Sequence, residues 1–315
     1  MNYICVMYEL RQSSFGSYTR YEFMHSKTGN GFSIVPGRGA NVLNIRFGGN
    51  EILDGYDTPE ELEAGKWGKS SILFPFPNRL ADGKFKWQGK QYQFPINNAA
   101  TGNAIHGFVR DLPFEVEYCF LAKDGASIRC FYDYDGSREY YPFPFSLEIE
   151  FTISNDGRFR METEVTNMGD TAMPFGFGWH PYFRLAEAAG AHSLKLPPCE
   201  KVVINDNMIP TGARSTYSDF SSQKSVGDTV LDTCFHNSKT TGSPALTLAA
   251  NGRKLTVKAP ANKFPFFQVF TPPHRESIAL EPMTCNVDAF NNKQGLITLE
   301  PDKRWKGGLT VDGGR

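Results

Sequence analysis

The stretch FSLEIEFTISNDGRFRMETEV, residues 145–165, decides the fold. Phe145, Leu147, Ile149, Phe151 and Ile153 share one parity, while Glu148, Glu150 and Thr152 share the other. After SNDGR the pattern resumes, with Phe159, Met161, Thr163 and Val165 alternating with Arg160, Glu162 and Glu164. Successive side chains of a strand point to opposite faces, so each run has one buried and one wet face. Two such runs joined by Asn155-Asp156-Gly157 predict an antiparallel hairpin. Strands of a parallel sheet are usually buried on both faces and lack this alternation.

The same period recurs on either side. Leu43, Ile45 and Phe47 alternate with Asn44 and Arg46, and Phe114, Val116, Tyr118 and Phe120 alternate mostly with acids. Ile128, Cys130, Tyr132 and Tyr134 follow. Turn signals at FGGNE (47–51), KWQGK (86–90) and ANGRK (250–254) separate the runs, and KVVIN, KLTVKA, FFQVFT, SIALEP and GLITLEP are later strand candidates. One helix start is well written. TPEELEAGKW puts Thr58 at the N-cap, Pro59 at the first helical position and Glu61 where it closes a capping box, and Gly65 keeps the helix short. No repeat or low-complexity linker interrupts the chain, and SDFSSQKSVGDT (218–229) reads as a long loop. Many short strands with very little helix predict an all-β protein, a single large antiparallel β-sandwich with residues 1–315 as one domain.

Composition narrows the function. Of 315 residues, 40% are apolar, enough for a substantial core. With 33 basic against 34 acidic residues, no charge excess points to nucleic acid. Cys5, Cys119, Cys130, Cys199, Cys234 and Cys285 form no C-x-x-C pair, which suits reduced thiols in a cytoplasmic protein. MNYICVMYELRQSS lacks the pattern of a signal peptide, and no apolar run has the length of a membrane span.

The six histidines show no paired ligand spacing such as H-E-x-x-H, so no metal is expected. GFGWHP lacks the third glycine of a dinucleotide motif, and no P-loop or G-x-S-x-G is present. Four polar residues stand in apolar company: Arg79 in FPFPNRLADGKF, His106 in NAIHGFVRDLPF, His180 in MPFGFGWHPYF and Glu281 in IALEPMTCNVDAFN. Each alone has an ordinary structural explanation. Together they offer one concave site a general acid, a general base and hydrogen-bond anchors. Aromatic surroundings suit a sugar, whose C–H faces pack on rings while its hydroxyls need polar partners. Phe175, Phe177, Trp179 and Tyr182 are expected to fix His180 at the edge of the pocket. Gly176 and Gly178 are expected to admit backbone or ligand closely.

In their order, FPFPNRLADGKFKWQGKQYQFPINN, NAIHGFVRD, GFGWHPYF and LEPMTCNVDAFN resemble the aldose 1-epimerase (galactose mutarotase) family. The ordered match extends from Asn41 to the C-terminus. The resemblance implies a galactose mutarotase-like supersandwich. It also implies that His180 is the general acid, Glu281 the general base, and Arg79 and His106 sugar-binding residues. Asp232, in LDTCF, matches an aspartate that holds sugar hydroxyls. Two departures bear on which sugar is used. Phe108 follows His106-Gly107 where galactose-specific members carry a second glycine. EPMTCNVDAFN differs from the family's pattern after the glutamate, although Asp288 and Asn291 keep their places.

The implied reaction opens and recloses a hemiacetal. One group takes the proton of the anomeric hydroxyl and another gives a proton to the ring oxygen. The aldehyde turns by half a rotation and recloses with the roles reversed. A carboxylate and an imidazolium on opposite sides of the sugar would serve, and such assistance is worth on the order of 100- to 10,000-fold. The expected function is a cofactor-free aldose mutarotase acting on a small-molecule sugar, with no nucleic acid or membrane partner and a homodimer as one option. Two alternatives stay open. One is a hexose-6-phosphate mutarotase with Arg110 as the phosphate ligand. The other is a non-catalytic sugar-binding protein on the same scaffold. A glycoside hydrolase would need a second carboxylate paired with Glu281, and none is evident in the sequence.

Overall fold

The computed structural model describes residues 7–239 and 241–314. The 145–165 stretch forms its hairpin: Phe145–Ser154 and Arg158–Asn167 pair antiparallel, with Ile149 opposite Thr163 and Phe151 opposite Met161. The five apolar residues of its first strand are fully enclosed, as the alternation requires.

This hairpin lies inside a nine-stranded sheet that begins at the edge strand Glu115–Leu121 and continues past the long C-terminal strand Arg304–Gly314. An eight-stranded sheet carries Asp232–Asn237, Phe266–Phe270, Ile278–Met283 and Gly178–His180 as successive neighbours. A five-stranded sheet is built from the N-terminal strands Tyr8–Phe15 to Asn50–Glu51 in chain order. All strand ladders are antiparallel among the described residues. The protein is thus an all-β antiparallel sandwich.

The inner faces meet through rings. Trp179 of the eight-stranded sheet lies 6.0 Å from Phe159 of the nine-stranded one, and Phe159 lies 5.4 Å from Phe32 of the N-terminal sheet. Phe74 reaches Phe145 at 4.7 Å. Each fully buried ring of this kind contributes about 1.5–3 kcal/mol of transfer free energy. One continuous apolar cluster includes residues from Tyr8 to Val311, so the sheets share their core.

Two local expectations need correction. The run Phe114–Phe120 does not keep one face inward. The register shifts between Val116 and Tyr118, and a bulge moves every later side chain to the other face. Tyr118 and Phe120 are therefore exposed, and Cys119 and Leu121 turn inward instead. In the helix Pro59–Ala64, Thr58 caps the Glu61 N–H at 3.2 Å as expected. The Glu61 carboxylate, however, accepts from the Asp57 N–H at 3.0 Å, one residue before the cap. Helices are otherwise limited to single turns, so the expectation of little helix holds. Among the described residues no helix is long and apolar enough to cross a membrane. The five described cysteines are free thiols; Cys5 lies outside the described residues.

Candidate active site

Three polar side chains line up across adjacent strands of the eight-stranded sheet. Glu281 pairs with Gln268. Gly178 pairs with Met283, and that register carried two residues on sets His180 beside Glu281. Their chain neighbours Trp179, Leu280 and Phe267 are buried in the core, so alternation turns the polar row to the opposite face. Asp232 joins this face because it lies two residues before Cys234, the partner of Gln268. Segments around Trp67, Arg79, Asn97 and His106 rise over this face and close a cleft of about 300 Å³. All five residues singled out from the sequence, His180, Glu281, Arg79, His106 and Asp232, line it.

His180 Nε2 lies 3.4 Å from Glu281 Oε1, and the two side chains are 7% and 2% exposed. Burial disfavours the charged form of each. It pushes the His180 imidazole down to about 3, helped by Arg110 and opposed by a bond to its own backbone carbonyl. It raises the Glu281 carboxyl well above the usual range, with the charge of Asp232 adding to the rise and Arg79 opposing it. Burial thus favours the neutral form of each member of the pair. The contact also corrects the expectation of an acid and a base on opposite sides of a sugar. Groups 3.4 Å apart must approach a ligand from the same side.

His106 stands beside the pair, its ring 5.3 Å from that of His180. Its Nδ1 accepts the Asn78 N–H at 3.2 Å, which places the proton of the neutral ring on Nε2. Burial, then the neighbouring His180, Arg110 and Arg79, hold it neutral by lowering its pKa well below that of a free histidine. The backbone is bent to achieve this. Asn78 and His106 are left-handed, at φ 59° and 67°, and Gly107 follows at 63°. A Cβ at Gly107 would stand 2.0 Å from the Phe74 carbonyl oxygen, so this glycine is required.

Arg79 Nη2 lies 3.7 Å from Asp232 Oδ2, and Gln268 Nε2 donates to Asp232 Oδ1 at 2.5 Å. Burial raises the Asp232 carboxyl, while Arg79 and the Gln268 bond pull it back. Asn78 Oδ1 accepts from the backbone N–H of Arg79 at 2.9 Å and from its Nη1 at 3.2 Å. Asp288 fastens the same segment, accepting from the Ala81 N–H at 3.0 Å and donating its own N–H to the Arg79 carbonyl at 2.8 Å. Asn291 donates to the Lys84 carbonyl at 2.9 Å. The late DAFN motif thus braces the loop that carries Arg79.

Of the four aromatics expected to fix His180, only Tyr182 does so. Its ring stacks on the imidazole at 4.9 Å, and its hydroxyl donates to the Trp67 carbonyl at 2.9 Å. Phe175, Phe177 and Trp179 are wholly buried on the core side. Gly176 and Gly178 serve packing and do not admit a ligand. A Cβ at Gly176 would stand 2.3 Å from Cys285 Sγ, and one at Gly178 would stand 3.0 Å from Pro77. Arg110, unassigned between surface and site, lines the cleft. Asn78, Gln268, Trp67 and Phe270 were missed. The first is signalled by its place in PNR beside the arginine; the others become neighbours of the site only through pairing and loop folding.

Comparison with known proteins gives the family. The family profile Aldose 1-epimerase matches residues 25–312. Escherichia coli (strain K12) YihR is 26% identical over 272 residues, 84% of each chain. A galactose mutarotase-like protein from Clostridium acetobutylicum superposes with a TM-score of 0.87 at 20% identity, covering 98% of this chain and 99% of that one. Galactose 1-epimerase from Lactobacillus acidophilus superposes at 0.85 with 17% identity and the same coverage. The chain belongs to the aldose 1-epimerase family. It is an isomerase, a mutarotase of sugars.

Proposed function

We propose that the protein is a cofactor-free mutarotase of a free aldohexose in which Glu281 is the general base, His180 the general acid, and Arg79, His106 and Asp232 hold the sugar. The observation that carries this reading is the 3.4 Å approach of His180 Nε2 to Glu281 Oε1 inside the cleft. The two oxygens that exchange protons in mutarotation are bonded to one carbon. An acid and a base that close together can each reach one of them from a single side of the ring.

Charge favours the same step. With a sugar bound, the productive pair is imidazolium and carboxylate. Ring opening passes a proton from His180 to the ring oxygen and the anomeric proton to Glu281. Both buried charges vanish, leaving the neutral forms that burial prefers. Reclosure on the other face of the aldehyde returns both protons. His106 Nε2–H is free to donate to a sugar oxygen, and Arg79 and Asp232 add a donor fork and an acceptor.

Polarimetry of freshly dissolved α-D-galactose and α-D-glucose, in EDTA, tests the proposal. The protein is expected to speed the decay of rotation for at least one of them. Decay at the buffer rate for both would refute it. A second reading is favoured by Arg110, which lines the cleft and is only loosely paired with Asp111 at 3.6 Å. Under that reading a hexose 6-phosphate is turned over with the higher kcat/KM.

A further inference from the structure

Trp67 enters the cleft from an unusual segment. Gly65, Trp67, Gly68 and Ser70 all have positive φ, at 57°, 66°, 62° and 55°. Glycine adopts this region freely, whereas a bulky side chain such as tryptophan does so rarely, and such outliers gather at ligand clamps. The conformation is held from several directions. The Trp67 carbonyl accepts the Tyr182 hydroxyl at 2.9 Å. The indole lies 5.6 Å from the His274 ring and 6.4 Å from Phe270, and Lys66 Nζ stands 5.5 Å from its centroid.

The rest of the cleft is polar on the side of Arg79, His106 and Asp232. Tyr182 also lines it but is only 1% exposed, its ring covered by His180. Trp67, Phe270 and Ile105 are half-buried, and of these the two rings offer the accessible aromatic surface. A pyranose bound with its hydroxyls on the polar side needs an apolar wall for its C–H face.

Resting on the mutarotase reading, we propose that Trp67 is the stacking platform for the sugar ring and that Tyr182 positions it, linking the platform to His180. Trp67→Gly removes the ring and relieves the left-handed backbone while keeping the carbonyl that Tyr182 binds. It is expected to raise KM for D-galactose or D-glucose at least tenfold, lower kcat by less than threefold, and leave the melting temperature level or higher. Trp67→Phe is expected to recover most of the lost affinity. Binding is read separately from turnover. Trp87, Trp179 and Trp305 do not line the cleft, so sugar is expected to change the tryptophan emission of the native protein but not of Trp67→Phe. Sugar-dependent emission without turnover would sink the mutarotase reading and leave the platform standing. An unchanged KM in Trp67→Gly, or emission that ignores both sugars, or a full sugar response in Trp67→Phe, would overturn the platform.

Discussion

Gln268 and Glu281 face each other across two antiparallel strands, yet they serve different neighbours. The Gln268 amide turns to Asp232, at 2.5 Å, and leaves the Glu281 carboxyl to meet His180 alone. Under the proposed mechanism the row divides into an anchoring half, Arg79–Asp232–Gln268, and a proton-transferring half, Glu281–His180. Each half makes its own forecast.

Glu281→Gln is nearly isosteric but offers no base at neutral pH. Mutarotation is expected to fall to background while sugar binding, followed by tryptophan emission or calorimetry, survives. Near-normal turnover in a folded mutant would remove Glu281 from the mechanism.

The pH dependence follows from the neutral forms that burial favours. His180 takes a proton only near its lowered value of about 3, so the acid limb of kcat/KM lies far below the ordinary histidine value of about 6.5. The proton on Glu281 is lost above its raised pKa, so an alkaline limb belongs to the carboxyl. A kcat/KM profile with an acid limb near pH 6.5 would contradict this order.

Asp232→Asn touches both halves. The Asp232 charge helps keep the proton on Glu281, and Arg79 opposes it. Removing the charge frees Arg79 as well, so both changes lower the Glu281 pKa. The alkaline limb is expected to move to lower pH, and KM to rise as a sugar ligand is lost. A limb that stays in place would show that Asp232 does not act on Glu281.

Gly107→Ala would force a left-handed alanine into the Phe74 carbonyl. Strain and overpacking together are expected to cost on the order of 3 kcal/mol. Thermal or urea unfolding would register this, and an unaltered midpoint would mean that the 74–107 contact is not as tight as described.

Much of this architecture was legible in the sequence because the hairpin 145–167 states its period twice and its turn once. Where alternation misled, at Tyr118 and Phe120, a single extra residue had reversed the facing, and nothing in the residue types announces a bulge. The site residues were legible as polar groups in apolar company, and the resemblance ordered them. Their partners were not. Gln268 meets Asp232 only through strand pairing, and Trp67 reaches the cleft only through a left-handed turn. The aromatic setting of His180 was overread for the same reason. Of Phe175, Phe177, Trp179 and Tyr182, strand parity sends only the last to the imidazole's side of the sheet.

The central claim is that His180 moves a proton, and it is tested most directly by measuring turnover and thermal stability together for His180→Asn, with His106→Asn as the comparison. Asparagine can still donate a hydrogen bond but cannot deliver a proton as an imidazolium does. His180→Asn is expected to lower kcat by about 100-fold or more per folded molecule, with a smaller effect on sugar affinity. His106→Asn is expected to raise KM with little change in kcat, the mark of an anchor used alike in ground and transition states. If His180→Asn instead melts early but turns over normally per folded molecule, His180 is a core histidine and the proposed mechanism is wrong.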